Sequence, residues 1–119
     1  MKKFLHSFIY AWAGIRYCIS RQQNFRFHCW AMLAVILMGV ALQISVNEWW
    51  VVILCCAMVL AMEMLNTAVE KLCDMVHPSF NTQIKAIKDV AAGAVLVVAI
   101  AAAVCGAIIF LPKLYQFVF

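Results

Sequence analysis

The stretch Val90–Phe110 reads VAAGAVLVVAIAAAVCGAIIF, 21 residues without a charged side chain. A helix that crosses the hydrocarbon core of a bilayer needs about 20 apolar residues. Residues 29–46 are also free of charge, and a third apolar stretch starts at Trp49 and continues to about residue 70. Backbone polar groups in hydrocarbon must be bonded within their own segment. Transmembrane helices are therefore predicted at 29–46, 49–70 and 90–110.

The composition of the whole chain agrees with a membrane protein. Of 119 residues, 68% are hydrophobic and 12% are charged, whereas a soluble domain is about half apolar and about a quarter charged. An ordinary soluble enzyme, a disordered tail and a nucleic-acid-binding domain are excluded. We expect one all-α integral membrane domain over residues 1–119, with no linker.

The placement of positive charge predicts the orientation of the chain. Eight of the nine lysines and arginines lie before residue 29 or within 71–89, and only Lys113 follows the third stretch. Cytoplasmic segments of membrane proteins are enriched in these residues. The amino terminus and the segment 71–89, read as a loop with the start of the third span's helix, are therefore expected to face the cytoplasm.

The first residues have the sidedness of a surface helix. At about 100° per residue, apolar side chains fall on one half of a helix over about 4–22 and polar side chains on the other. This pattern predicts an amphipathic helix that lies in the membrane plane. A cleaved signal peptide is the alternative, but it needs no such sidedness.

A polar stripe runs along the end of the second span. Glu63, Asn66, Glu70 and Asp74 are spaced i, i+3, i+7 and i+11, which places them within about 80° of each other on a helix. A charge at membrane depth costs about 2.5–3.5 kcal/mol, so the stripe must face protein or a polar cleft. It has three possible interpretations: a packing motif between helices, an ion or proton path, or a catalytic cleft.

A second polar cluster, Lys85, Lys88 and Asp89, lies at the entry to the third span. A lysine beside carboxylates suits a site for phosphate and magnesium, because magnesium commonly binds one or two carboxylates together with substrate phosphates. No glycine-rich phosphate loop and no protein-kinase motif is present, so any use of ATP requires a different architecture.

The six cysteines and three histidines do not form metal-binding motifs. The cysteines include no Cys-x-x-Cys pair, and most lie inside apolar runs as small hydrophobic residues. The histidines are far apart in the sequence. We expect interfacial or capping roles for all three: His6, His28 and His77.

The motifs together resemble a known family. The run from Glu63 to Asp74, Glu-x-x-Asn-Thr-Ala-Val-Glu-x-x-x-Asp, and Lys88-Asp89 followed by Ala-Ala-Gly-Ala at 91–94 closely resemble the signature of the prokaryotic diacylglycerol kinase family, which includes undecaprenol kinases. The resemblance implies a kinase of the bacterial cytoplasmic membrane that phosphorylates a lipid hydroxyl from ATP with magnesium. It also implies a homotrimer whose active sites form between protomers and face the cytoplasm.

The resemblance also implies roles for individual residues. Glu63 matches the family's catalytic base, and Asn66 would help to orient it. Glu70 matches the carboxylate that binds magnesium on the ATP phosphates. The residues implied at the nucleotide are Tyr10, Glu70, Lys88 and Asp89.

One position departs from the family pattern. Gln22 stands where the family has a glutamate as its second metal ligand. An amide carbonyl offers an oxygen to magnesium but attracts the ion less than a carboxylate does. Magnesium is therefore expected to depend more on Glu70 and on phosphate oxygens.

Two questions stay open at the level of sequence. The competing class is a non-enzymatic oligomeric membrane protein, either an ion or proton path or an assembly subunit. A relay predicts acids spaced across the membrane, and the outer half of the second span has none. Diacylglycerol and undecaprenol both present a primary hydroxyl, and the Asn24–His28 segment with the Leu111-Pro112-Lys113 ending favours the undecaprenol kinase branch.

Overall fold

The computed structural model describes residues 1–119 as four α-helices joined by short connections. The helices are α1 (Lys2–Arg21), α2 (Gln23–Ala41), α3 (Val46–Val76) and α4 (Thr82–Val118). Three of them, α2, α3 and α4, are long and apolar enough to cross a membrane. The predicted all-α class with three spans is confirmed, and the chain is a multi-pass membrane protein.

Helices α2 and α4 both pack against α3. Its main neighbour is α4, and α2 packs on it less extensively. The apolar core lies at the end of the bundle where α2 turns into α3, and its buried members are Ile44, Val52, Ile109 and Phe110. Only 13 of the 119 residues are buried, so most of the apolar helix surface faces outward, as helices in hydrocarbon require.

The connection between α2 and α3 differs from the prediction. The first span was expected to continue to residue 46, but α2 ends at Ala41 and α3 already begins at Val46. A turn intervenes, in which Gln43 adopts a positive φ of 52°. Hydropathy does not detect this boundary, since residues on both sides of the turn are apolar.

A capping box explains where α3 begins. The Ser45 hydroxyl accepts a hydrogen bond from the Glu48 backbone N–H at 3.2 Å, and the Glu48 carboxylate accepts one from the Ser45 N–H at 2.9 Å. These two bonds satisfy amide groups that the first helical turn leaves without partners. Glu48 also pairs with Lys113 at 3.3 Å, which ties the end of α4 to the start of α3.

The indole ring of Trp49 packs against Gly39 and closes the turn between α2 and α3. A Cβ at Gly39 would meet the outer edge of the Trp49 ring at 2.8 Å, so only glycine allows this approach. The indole therefore packs back on α2, whereas the neighbouring Trp50 is exposed.

The segment 71–89 is more helical than a loop. Helix α3 continues to Val76, the connection covers residues 77–81, and α4 starts at Thr82. The Asn81 side-chain oxygen Oδ1 accepts hydrogen bonds from the backbone N–H groups of Gln83 and Ile84 at 2.8 and 3.2 Å, and these bonds cap the start of α4. At its far end α4 continues past residue 110, through Pro112 to Val118.

Helix α1 contacts the bundle only near its carboxyl end. Cys18 is its one buried residue, and the Tyr17 ring lies 5.5 Å from the Lys71 ammonium. The Arg26 guanidinium donates to the carbonyls of residues 19 and 20, both at 3.1 Å, so it caps the end of α1. The helix is observed, and its placement in the membrane plane stays a prediction.

Replacement of Ser45 by alanine is expected to lower the free energy of unfolding by about 1 kcal/mol, because one helix cap is lost. Unfolding by a denaturing detergent in mixed micelles measures the change. Ser7→Ala is the matched control, because the Ser7 hydroxyl bonds only a carbonyl of its own exposed helix. Equal stability of the Ser45→Ala and Ser7→Ala variants would contradict the role of the cap.

Candidate functional site

The predicted polar stripe lies on one helix, α3, and becomes more exposed toward the helix end. Glu63 and Asn66 are only 4% and 7% exposed, Glu70 is half-buried and Asp74 is exposed. From Glu63 to Glu70 the helix rises about 10 Å. The stripe therefore leads from the interior of the bundle to its polar end.

The side chain of Asn66 forms a hydrogen bond with Glu70, not with Glu63. Its Nδ2 group donates to Glu70 Oε1 at 3.3 Å, one helical turn along α3. Its Oδ1 atom is buried and has no hydrogen-bond partner. A buried acceptor without a donor is costly, so this oxygen is available to a ligand. The structure therefore shows a contact of Asn66 with Glu70, and the expectation that Asn66 orients Glu63 stays a prediction.

The packing interpretation of the stripe predicts polar bonds between helices. The Thr67 hydroxyl donates to the Glu63 backbone carbonyl at 3.0 Å, which is an ordinary bond within one helix. It does not join two helices. The buried carboxylate and the unpartnered amide oxygen need another explanation.

The carboxylate of Glu63 faces the ring of His28. His28 Nε2 lies 3.8 Å from Glu63 Oε2, and the two side chains are 20% and 5% exposed. His28 was expected to have an interfacial or capping role, and the structure shows it beside Glu63 with no capping hydrogen bond. Ser45 at the hairpin turn lies 17 residues after His28 and 18 residues before Glu63, so counting outward from the turn would have placed the two at the same depth.

Lys88 and Asp89 belong to two separate ion pairs. Lys88 Nζ contacts Asp74 Oδ1 at 2.6 Å, and Lys85 Nζ contacts Asp89 Oδ2 at 2.6 Å. The first pair joins the end of α3 to the start of α4. The hydrogen bond to Asp74 raises the pKa of Lys88, which keeps this ammonium charged.

A small cavity opens beside these lysines. It has a volume of about 190 Å³ and is lined by the 77–81 connection together with Ile84, Lys85 and Lys88. Two ammonium groups and the amino-terminal end of α4 make this end of the bundle favourable for a phosphate.

Two predicted site residues are not joined to the others within the chain. Tyr10 lies on the exposed part of α1 and is 70% exposed. Gln22 is the half-buried residue before α2, and its side chain makes no capping hydrogen bond. Both side chains therefore keep their polar groups available.

The oxygen donors of the stripe fit a magnesium ion better than a transition metal. No group of three histidine, cysteine or acidic side chains is close enough to hold a metal alone. Glu70 supplies a carboxylate, and the unpartnered Asn66 oxygen lies one turn away on the same helix. Magnesium is commonly held by one or two carboxylates with substrate phosphates and water completing its six ligands.

A helical membrane protein with a buried carboxylate beneath a lysine-lined polar end has the features of a membrane-embedded phosphotransferase. Residues 9–110 match the family described as prokaryotic diacylglycerol kinase. Because this match covers most of the chain, the chain belongs to the prokaryotic diacylglycerol kinase family. The predicted family is confirmed.

Two characterised relatives show the same relationship. Over 114 residues the chain is 38% identical to undecaprenol kinase of Bacillus subtilis (strain 168), covering 96% of this chain and 93% of that protein. Over 111 residues it is 42% identical to diacylglycerol kinase of a Synechocystis species, covering 92% of this chain. The match spans 63% of the length of the Synechocystis protein.

Membership of this family decides between the two functional classes. The chain is an enzyme, a lipid kinase that transfers a phosphoryl group to an alcohol. The competing hypothesis of a non-enzymatic ion path or assembly subunit is wrong.

Replacement of Asp74 by asparagine is expected to lower the pKa of Lys88 toward its ordinary value, because the anionic partner is lost. Titration of ¹³C-methylated lysines by NMR measures the shift. In the native protein the Lys88–Asp74 pair stabilises the fold fully at pH values below the pKa that Lys88 has in the unfolded chain. This stabilisation is lost as pH rises through the pKa that Lys88 has in the folded protein. Asp89→Asn is the control, since Asp89 pairs with Lys85. A larger effect of Asp89→Asn than of Asp74→Asn would refute the assignment.

Proposed function

We propose that this chain transfers the γ-phosphoryl group of ATP, as its magnesium complex, to the primary hydroxyl of a membrane lipid. The carrying observation is the stripe on α3, where a buried carboxylate lies about 10 Å along the helix from the Asn66–Glu70 pair. This arrangement keeps the groups suited to the lipid inside the bundle and those suited to the nucleotide at its polar end.

Glu63 acts as the general base in this proposal. Its carboxylate makes no hydrogen bond with another side chain of the protein, and its one basic neighbour within 4.0 Å is His28. An oxygen of Glu63 accepts the proton of the lipid hydroxyl as the hydroxyl oxygen attacks the γ-phosphorus, and ADP leaves. Such assistance contributes about 10²–10⁴-fold to a rate.

The metal and nucleotide occupy the other end of the stripe. Glu70, the Asn66 oxygen and the Gln22 amide would supply the oxygen ligands that this chain offers to magnesium. When bound, magnesium neutralises charge on the ATP phosphates. Asn66 fixes the position of Glu70 through its N–H group, so one amide serves both the metal and the carboxylate.

The ammonium of Lys88 binds the phosphates. It has three N–H donors, so it retains its bond to Asp74 while it donates to a phosphate oxygen. Asp89 and Tyr10 complete the nucleotide contacts. Much of phosphoryl transfer consists of positioning and charge neutralisation, which these residues supply without a glycine-rich loop.

The proposed assembly is a homotrimer whose sites form between protomers. Tyr10 supports this assembly, because its side chain is exposed and makes no hydrogen bond within the chain. In a homotrimer a neighbouring copy is able to bring such a residue to the site.

The proposed location is the bacterial cytoplasmic membrane, with the amino terminus and the active site toward the cytoplasm. Eight basic residues before residue 29 and within 71–89, against Lys113 alone at the other end, support this orientation. The lipid hydroxyl then meets ATP at the cytoplasmic interface.

Undecaprenol is the proposed substrate. The match with this chain covers 93% of the length of the relative named undecaprenol kinase. It covers 63% of the length of the relative named diacylglycerol kinase. The segment 24–28 and the 111–113 ending favour the same branch.

Transfer of label from γ-labelled ATP in mixed micelles tests the reaction. Undecaprenol and diacylglycerol are offered separately, with magnesium and with a chelator. We expect magnesium-dependent label in undecaprenol and less in diacylglycerol. Stronger labelling of diacylglycerol would refute the proposed substrate, and labelling in the chelator would refute the metal dependence.

Replacement of Glu63 by glutamine is expected to lower kcat by about 10²–10⁴-fold, because the proton acceptor is lost. Glu70→Gln is expected to raise the magnesium and ATP concentrations needed for half-maximal rate. Steady-state kinetics on folded protein separates the two effects. Glu48→Gln is the control, because glutamine preserves the capping box at the other end of α3. Near-normal turnover of Glu63→Gln would show that another group is the base.

A further inference from the structure

His28 lines a cavity in the bundle that is otherwise apolar. A cavity of about 350 Å³ lies between α2, α3 and α4, and 16 of its 18 lining residues are apolar. The two others are Gly106 and His28, so His28 carries the one polar side chain among them. It lies at the cavity's edge beside Glu63.

The His28 ring has no hydrogen-bond partner of its own and is therefore available to donate to Glu63. The rings of His6 and His77 each contact a backbone carbonyl of their own segments, at 2.6 and 2.9 Å. His28 makes no hydrogen bond within the chain, and the neighbouring Phe27 ring lies 5.7 Å away in an edge-on arrangement. The one acidic group within 4.0 Å of its nitrogens is the Glu63 carboxylate.

We infer that His28 is a positioning residue for Glu63, whose imidazole N–H fixes one carboxylate oxygen and leaves the other facing the lipid hydroxyl. This inference rests on the proposed role of Glu63 as the base. The separation of 3.8 Å is longer than a hydrogen bond. Hydrogen bonds of catalytic groups are often long without substrate and shorten in the complex, and here a shift of less than about 1 Å suffices.

An N–H donor would stabilise the buried carboxylate of Glu63. A buried charge without a partner is strongly unfavourable, and Asn66, one turn away, directs its N–H group to Glu70 instead. A donor on one oxygen stabilises the charged form of Glu63 that accepts a proton. It also restricts the side-chain rotation that would move the accepting oxygen away from the substrate.

Two kinds of replacement separate this role from simple packing. His28→Gln keeps an N–H donor at a similar reach, whereas His28→Leu and His28→Met keep the bulk and remove the donor. If His28 only filled the edge of the cavity, the apolar variants would be tolerated best there, since the rest of the lining is apolar.

Kinetics in mixed micelles, with labelled ATP and the lipid that the wild type phosphorylates, tests the inference. We expect His28→Gln to stay near the wild-type rate and His28→Leu and His28→Met to lose about tenfold to a hundredfold in kcat. The KM for ATP and the midpoint of thermal unfolding are expected to stay unchanged. His6→Leu is the control, because it makes the same change on the exposed part of α1.

Wild-type kcat in both apolar variants, or an equal loss in His28→Gln and His28→Leu, would overturn the inference. Wild-type turnover and an inactive Glu63→Gln in the same assay establish the base separately from the His28 variants. An active Glu63→Gln would overturn both the base and the role of His28. A double variant provides a further check, because His28→Leu should cost nothing more once Glu63 is glutamine.

Discussion

Hydrocarbon offers no hydrogen-bond partner to a polar group, and the rest of the structure follows from that constraint. It forces the backbone of α2, α3 and α4 into helices, and it turns the carboxylate of Glu63 toward the bundle. The same constraint makes helix ends important, because the first amides of a helix have no partner within it. Ser45 and Glu48 meet that need at one end of the bundle, and Asn81 meets it at the other.

The two ends of the bundle differ in what holds them together. At the hairpin end, the Trp49 ring rests on Gly39, an apolar core surrounds Ile44, and Lys113 pairs with Glu48. At the opposite end the interactions are polar and more exposed, with Lys88 on Asp74. Exposed ion pairs contribute little to stability, so the packing at the hairpin contributes more to holding the helices together.

Hydropathy and periodicity were enough to predict the three spans and the stripe from Glu63 to Asp74. They did not predict the end of α2, because apolar residues continue through a turn that a single hydroxyl defines at Ser45. They also missed the contact of His28 with Glu63, which depends on the register between two helices rather than on any local pattern. The contact of Asn66 with Glu70 was not predicted either, since one helix face offers Asn66 a carboxylate on each side.

The buried Oδ1 atom of Asn66 has a consequence for the resting enzyme. An acceptor kept dry without a donor lowers the stability of the fold, and that loss is recovered when a cation or an N–H group arrives. In the proposed role of Asn66 as a magnesium ligand, part of the binding free energy comes from giving this oxygen a partner. A replacement that removes the unpartnered oxygen would then stabilise the protein and weaken its function.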